Sequence, residues 1–483
     1  MRERMRTIQQ AQSLNWLYGL LALLVTIHYL IVYAERYLIW TGHEPIFNAL
    51  RMLHALLIVL LLILCALKLR RGMPPEFWLL AAYSAWVLLT RVINRDYTLY
   101  GSLYFSAVCA GVFAAGCYLS PQQRRRLLDL FSGIIGAYLF LISILGLLVW
   151  FGGNDAFPTI ARFISKNPFG RIKDISFFNS AHNMSAAWFM VSFFLSAYQW
   201  TICEDRRWRA PLLLHTVIMW IMIALLHCRS IQVASCIGIG MLCVRFILPR
   251  IRKKKSYLQI AVVILTAGLG VLVCFKAMNV CGDLFVKGMT ISQSEWDSYY
   301  AEQAEQEKRL AEAGIAKSSE TTTPNVTQDS DSRSFLHDAL TLTERTKIWE
   351  ASLRLVRDDP HAALFGQAEE NMMDAVNARG DYREVKQHMH NLVLQALVLT
   401  GIPGALMLLA FVCLQLVRMV RAYFDTTGRV LQADKVLLIL PATLLVYGMA
   451  EVLLNRLVGF ASLSFLLAGG IFTEFEREAF PSR

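Results

Sequence analysis

The sequence lacks several features that would have assigned it to a familiar class. Its ten cysteines show no paired spacing, and Cys65, Cys109, Cys117, Cys236, Cys243 and Cys274 lie inside apolar runs. That pattern excludes a disulfide framework and a thiolate zinc site, leaving small apolar packing residues. No cluster of acidic residues has metal-ligand spacing. No basic surface interleaved with aromatics is present, so the net charge of +11 does not point to nucleic acid. The first apolar run is long and is not followed by a small-residue cleavage site, so it is expected to be an anchor and not a signal peptide. Two repeated halves, as in many transporters, are not apparent.

What the chain has in abundance is apolar sequence. Hydrophobic residues make up 56% of 483, and the mean hydropathy is +0.44. Repeated apolar runs of about 18 to 25 residues match the thickness of a bilayer core. They predict an all-α polytopic membrane protein with about twelve spans: 14–34, 46–67, 76–93, 99–119, 127–151, 179–203, 211–226, 231–248, 258–280, 392–417, 436–452 and 457–472. Basic clusters fall on alternate connections: Arg2, Arg4 and Arg6; Lys68, Arg70 and Arg71; Arg124 to Arg126; Arg206, Arg207 and Arg209; Arg250 and Arg252 to Lys255; and Arg418, Arg421, Arg429 and Lys435. Positive charge is retained on the cytoplasmic side, which places both termini there and leaves the basic clusters facing anionic headgroups.

The chain divides accordingly into a bundle over 1–280, an extracytoplasmic loop over 281–390, and a closing set of spans with a cytoplasmic tail over 391–483. In the loop, Trp296 to Lys317 is rich in helix formers and predicts a solvated helix. The Ser-, Thr- and Asp-rich stretch 318–334, with Pro324, predicts a disordered linker. Asn325-Val326-Thr327 matches a glycosylation sequon but is too short to carry a role. Thr341 to Asp359 predicts a helix, with Thr341 and Glu344 as a capping box, Leu342, Trp349, Leu353 and Val356 as an apolar stripe, and Pro360 as its stop.

Within this frame Arg171, Arg229 and Arg345 lie on the predicted outer side, against the positive-inside trend. Guanidinium groups there suit a diphosphate, whose oxygens accept paired hydrogen bonds. His390, at the junction of loop and span, could take a proton from an attacking hydroxyl, with His388 as its near competitor. Taken singly, each has a plainer reading: a solvated helix charge for Arg345, a helix-end imidazole for either histidine. Lys166, Lys173 and Arg162 read as headgroup-facing charges. Glu369 and Glu370 read as surface carboxylates that could alternatively orient an arginine or bind an acceptor. Glu451 and Arg456 are expected to pair across the last outer turn.

Motifs sharpen this reading. Arg345-Thr-Lys-Ile-Trp349, followed by Asp358-Asp359-Pro360 and Leu364-Phe365-Gly366, resembles a signature of the O-antigen ligase and polymerase family. His390-Asn391-Leu392, followed by Thr400-Gly401-Ile402-Pro403-Gly404, resembles a second one. Cys228-Arg229-Ser230 and the stretch from Arg171 through Phe177, Phe178, Asn179 and Asn183 match that family more weakly, with Asp174 replacing a Gly and Ser180-Ala181-His182 interrupting the expected Asn-Pro-Asn. The resemblance covers about Arg171 to Gly404.

It implies a helical membrane fold similar to the C-type glycosyltransferases, in a bacterial cytoplasmic membrane. It also implies metal-independent, inverting transfer, without a cofactor, of glycan from an undecaprenyl diphosphate-linked oligosaccharide to a glycan or lipid-glycan acceptor. In those terms His390 is the expected catalytic residue, Arg171, Arg229 and Arg345 hold the diphosphate, and His388, Asn391 and Lys173 support them. The alternative from another class is a transporter or flippase of lipid-linked glycan. The orientation itself is testable. A cysteine reporter at Ser330 is expected to label in intact cells and one at Lys254 only after permeabilisation, and the reverse pattern would turn the protein over.

Overall fold

The computed structural model describes residues 16–28, 31, 44–68, 73–96, 99–156, 182–226, 228–251, 256–287, 343–380, 389–425, 432–451 and 460–479. Among these there are helices and turns but no strand. Each of the twelve apolar runs carries a helix. The first nine are α1 (Trp16–His28), α2 (Glu44–Lys68), α3 (Pro75–Ile93), α4 (Leu99–Tyr118), α5 (Pro121–Ala156), α6 (His182–Ile202), α7 (Arg206–Leu225), α8 (Arg229–Ile251) and α9 (Ser256–Lys287). Three short helices, α10 (Thr343–Asp358), α11 (Pro360–Phe365) and α12 (Glu369–Asn377), form a cap. The chain returns through α13 (Leu392–Tyr423), α14 (Gln432–Leu437), α15 (Ile439–Gly448) and α16 (Phe460–Ala479). Eight helices among the described residues are long and apolar enough to cross a membrane.

Helix pairing builds the bundle from neighbours in sequence and from one long return. Helices α6 and α7, and α8 and α9, pack as hairpins, while α13 and α16 come back against α3 and α4. The α4–α16 contact is close because small residues face each other: a Cβ on Gly470 would lie 2.4 Å from the Phe113 carbonyl oxygen. The Cys117 thiol donates to the Gly470 carbonyl at 3.5 Å. Such close approach of backbones is how helices gain contact area in lipid, where burial of apolar surface gives no net drive. Helix α9 runs to Lys287, past the expected boundary at 281, so the loop begins on an extension of the span.

The cap has a small core of its own. Ile348, Ala351, Leu355, Ala362, Met372, Val376 and Met389 are buried together with Val398 and Leu399 from the start of α13. In α10 the buried face is therefore Ile348, Ala351, Ser352 and Leu355, whereas Leu353, expected on the apolar stripe, is 54% exposed. Both sets have helical spacing, and the phase is decided by the tighter i, i+3, i+4, i+7 pattern that meets α13. Pro360 ends α10 as expected and at once opens α11, with the Asp359 side chain accepting from the His361 and Ala362 amides. The expected helix over 296–317, linker over 318–334, sequon at Asn325 and cap at Thr341 lie outside the described residues.

What joins cap to bundle is a break in α13. Gly401 sits at φ 69°, ψ −174°, a region essentially closed to side chains, and Pro403 follows in the first turn of the resumed helix. A break at this point frees carbonyls that regular helix would have used, and they find partners elsewhere. Thr400 accepts from the Trp86 indole at 2.8 Å and Val398 from the Gln367 amide at 2.8 Å. Helix α13 would be about 48 Å long if straight, more than a bilayer core needs, and the part after Gly401 is roughly 33 Å. The end of α3 holds the cap from the other side. Asn94 donates to the Phe365 carbonyl at 3.1 Å and pairs with His361 at 2.8 Å, while Arg91 meets both Asp96 and Glu369. Gly401→Ala is expected to cost at least about 1–3 kcal/mol from backbone strain alone. A Cβ there would also lie 2.5 Å from the Leu364 carbonyl carbon. The loss should appear as a lowered unfolding temperature of the detergent-solubilised protein.

Candidate functional site

Arg345 sits one turn before Ile348 and two before Ser352, on the face of α10 that turns inward. Position alone therefore carries it toward the bundle, and the reading as a solvated helix charge is overturned. Its side chain is 28% exposed, donates through Nη1 to the Ala450 carbonyl at 2.8 Å, and pairs through Nη2 with Glu451 Oε1 at 3.1 Å. Trp349, one turn along, donates its indole N–H to the Met389 carbonyl at 2.9 Å. Arg345 and Trp349 of the first motif thus bracket the second motif in space.

The chain around His390 is pinned on both sides. Met389 is fully buried, its amide donates to Gln395 Oε1 at 3.0 Å, and its carbonyl is taken by Trp349. Asn391 caps α13, its side-chain oxygen accepting from Val393 and Leu394, and its Nδ2 donates to the Met449 carbonyl at 3.0 Å. Between these anchors His390 adopts φ +50°, a left-handed conformation uncommon for a residue with a side chain. Strain of this kind persists only where the surroundings over-determine it, and it collects at sites that act.

Glu451 completes the array. Its carboxylate is nearly buried and is shared, Oε1 toward Arg345 and Oε2 toward His390 Nδ1 at 3.2 Å. A carboxylate only accepts, so Nδ1 of the imidazole is the donor to Glu451. An acid that fixes the tautomer of a histidine in this way leaves an oriented base behind.

Three chain segments distant in sequence therefore meet at one end of the bundle: α10, the junction before α13, and the turn after α15. The head of α8 lies with them. The Cys228 thiol is electrostatically coupled to Glu451 and Arg345, and burial pushes it up to about 11. Arg229, the next residue, is exposed at the start of α8. Of the residues expected in the site, the structure brings together Arg345, His390 and Asn391 and puts Arg229 nearby. Arg171, Lys173, His388, Lys166, Arg162 and Arg456 lie outside the described residues.

Glu451 was the residue that sequence reasoning passed over, as one side of a turn pair. Its signal was present: a single carboxylate between the apolar runs ending at Met449 and starting at Val452 must find cations or leave the interior. Glu369 orients an arginine, Arg91, at 3.4 Å, while Glu370 is exposed as expected. Asn391→Ala is expected to cost about 0.5–2 kcal/mol through loss of the helix cap. Asn391→Asp should keep the cap and lose only the bond to Met449, so thermal unfolding of the pair separates the two contributions.

No curated protein matched the chain. Residues 214–409 match the family model described as O-antigen ligase, a stretch that contains Arg229, Arg345, His390 and the broken helix at Gly401 and stops before Glu451. The match covers less than half of the chain, which by its apolar helices is a multi-pass membrane protein and over that stretch is similar to the O-antigen ligases.

Proposed function

We propose that the protein is a glycosyltransferase that moves a glycan from an undecaprenyl diphosphate-linked donor onto an acceptor hydroxyl, with the Arg345–Glu451–His390 array as its centre. The observation that carries the reading is the shared carboxylate, which holds the His390 ring through Nδ1 at the mouth of the bundle. In this reading Nε2 takes the proton of the acceptor hydroxyl as its oxygen attacks the anomeric carbon. The bond from that carbon to the diphosphate breaks, and attack from the face opposite the leaving group inverts the centre. The electron pair of that bond leaves with the diphosphate, which gains one negative charge, and guanidinium groups placed to meet it stabilise the transition state.

Arg345 spends two of its five N–H donors on Ala450 and Glu451. The others remain for a diphosphate oxygen, so it both holds the carboxylate and adds positive field. Arg229, exposed at the head of α8, is a second fork for the donor, and Arg171 and Lys173 are the further cations of this proposal. Guanidinium groups here take the charge-neutralising part that a divalent ion takes in other phosphate chemistry. The active face is extracytoplasmic in this reading, and Asn391 serves by fixing the backbone next to His390.

The test uses purified protein in nanodiscs with labelled lipid-linked oligosaccharide. His390→Ala is expected to slow transfer by about a hundred- to ten-thousandfold while donor affinity is kept, because proton removal matters mainly in the transition state. Arg345→Lys keeps the charge and loses the fork, and should lose most turnover. Arg252→Lys, in the basic run after α8, should be silent. A ladder of product lengths would indicate a polymerase, and a single transfer a ligase. Full transfer by His390→Ala would remove the assigned base. Movement of the glycan across the bilayer without a new glycosidic bond would make the protein a transporter.

A further inference from the structure

At the other end of the bundle, some sixteen residues along α8 from Arg229 and so roughly 24 Å away along the helix axis, lies a second site of different character. Here a cavity of about 220 Å³ opens between α8, α9, α13 and α15, and every residue around it is apolar except for the Tyr423 hydroxyl. Its inner wall includes the buried side chains of Val244, Met419, Tyr423 and Leu438. Its outer rim includes Leu416, Val420 and Phe424, each close to half exposed, so the cavity opens sideways toward where lipid would be. The Tyr423 hydroxyl donates to the Met241 carbonyl at 2.5 Å.

Beside this wall stands Arg245. Its side chain is 95% buried, and its electrostatic neighbours are Tyr423 and Asp425. Among the described residues its Nε and Nη2 nevertheless have no hydrogen-bond partner. Asp425 is already engaged by Lys435, through its carboxylate at 3.7 Å and through its carbonyl. A guanidinium with two unmet donors beside an apolar wall is costly, and an ionisable side chain so placed in a membrane is by default a candidate for a function. The sequence adds positive charge at this end of α8, with Arg250, Arg252, Lys253, Lys254 and Lys255 following directly. Basic residues next to a span attract the anionic headgroups of the adjoining leaflet.

We propose that this corner is a structural lipid site, in which an anionic phospholipid lays one acyl chain into the cavity and presents its phosphate to Arg245. The cavity supplies the fit for hydrocarbon and Arg245 the selection for charge. Nothing in it depends on the chemistry assigned to His390, since the two sites share helices but no residues.

The experiment is native mass spectrometry of protein delipidated in detergent and then offered dioleoyl phosphatidylglycerol or dioleoyl phosphatidylcholine in equal amounts. Wild type is expected to retain phosphatidylglycerol in preference, with a stoichiometry near one for the most tightly held molecule. Arg245→Leu should retain the two lipids alike. Ala442→Phe, which fills the cavity from α15 and leaves Arg245 in place, should retain less of both, and it decides the matter should the Arg245 variant fail to fold. Unchanged preference in Arg245→Leu, or unchanged retention in Ala442→Phe, would overturn the proposal. So would complete displacement of phosphatidylglycerol by equimolar undecaprenyl phosphate, which would make the carrier lipid the occupant.

Discussion

A carboxylate withdrawn from water needs compensation from both of its oxygens, and at Glu451 each oxygen answers to a different part of the chain. Desolvating an ion costs several kcal/mol, and removing one member of a buried pair typically costs about 3–5 kcal/mol because the other charge is left behind. Arg345 and His390 are both partly exposed, so the figure here is smaller, but the direction is the same. The cap helix α10, the start of α13 and the turn after α15 cannot drift apart without stranding this one side chain. The position of the imidazole and the seating of the cap are consequences of a single shared acid.

The break at Gly401 is the second determinant, and it works by redistribution of hydrogen bonds. A continuous α13 would keep its own carbonyls and leave nothing for Trp86 or Gln367 to hold. Interrupted, it offers Thr400 to α3 and Val398 to the cap, and the first turns of the helix become part of the cap core. The apolar sequence from Leu392 onward therefore serves two environments, one built by protein and one long enough to cross lipid. The Arg91, Asp96 and Glu369 cluster secures the same junction from α3, with Asp96 accepting from the Glu369 amide at 2.8 Å as well as from Arg91.

Much of this was legible in the sequence because membrane spans are written in long runs that composition alone reveals. Every apolar run carries helix among the described residues, since no other local structure satisfies backbone groups in hydrocarbon. Arg345, His390 and Asn391 were legible because each stands beside punctuation: the first turn of a capped helix, or the boundary between polar loop and apolar run. Glu451 was not, because its partners lie 106 and 61 residues away and a lone acid in a short turn looks like any other turn acid. The phase of α10 was misjudged for a related reason. Leu353 and Ile348 have equal claims as hydrophobes, and only contact with α13 decides which one is covered. Glu369 and the kink at Gly401 show the same limit, since a glycine and a proline announce a break but not the tryptophan that will use it.

At Gly366 and Gly401 the backbone just before each glycine fills the space where the other's side chain would stand. A Cβ on the first would meet the Leu399 and Thr400 backbone, and a Cβ on the second would meet the Leu364 carbonyl. Because both obstacles are main chain, no change of a neighbouring side chain can make room, and a lineage that loses one glycine has no local suppressor to acquire. The contact is in that sense an evolutionary fixed point. Lengths to either side of it are much freer, since closing a longer loop costs only about 0.6 kcal/mol for each doubling. Descendants of this protein can therefore be expected to vary widely in how much chain they hang from the cap while keeping the two glycines on which it is seated.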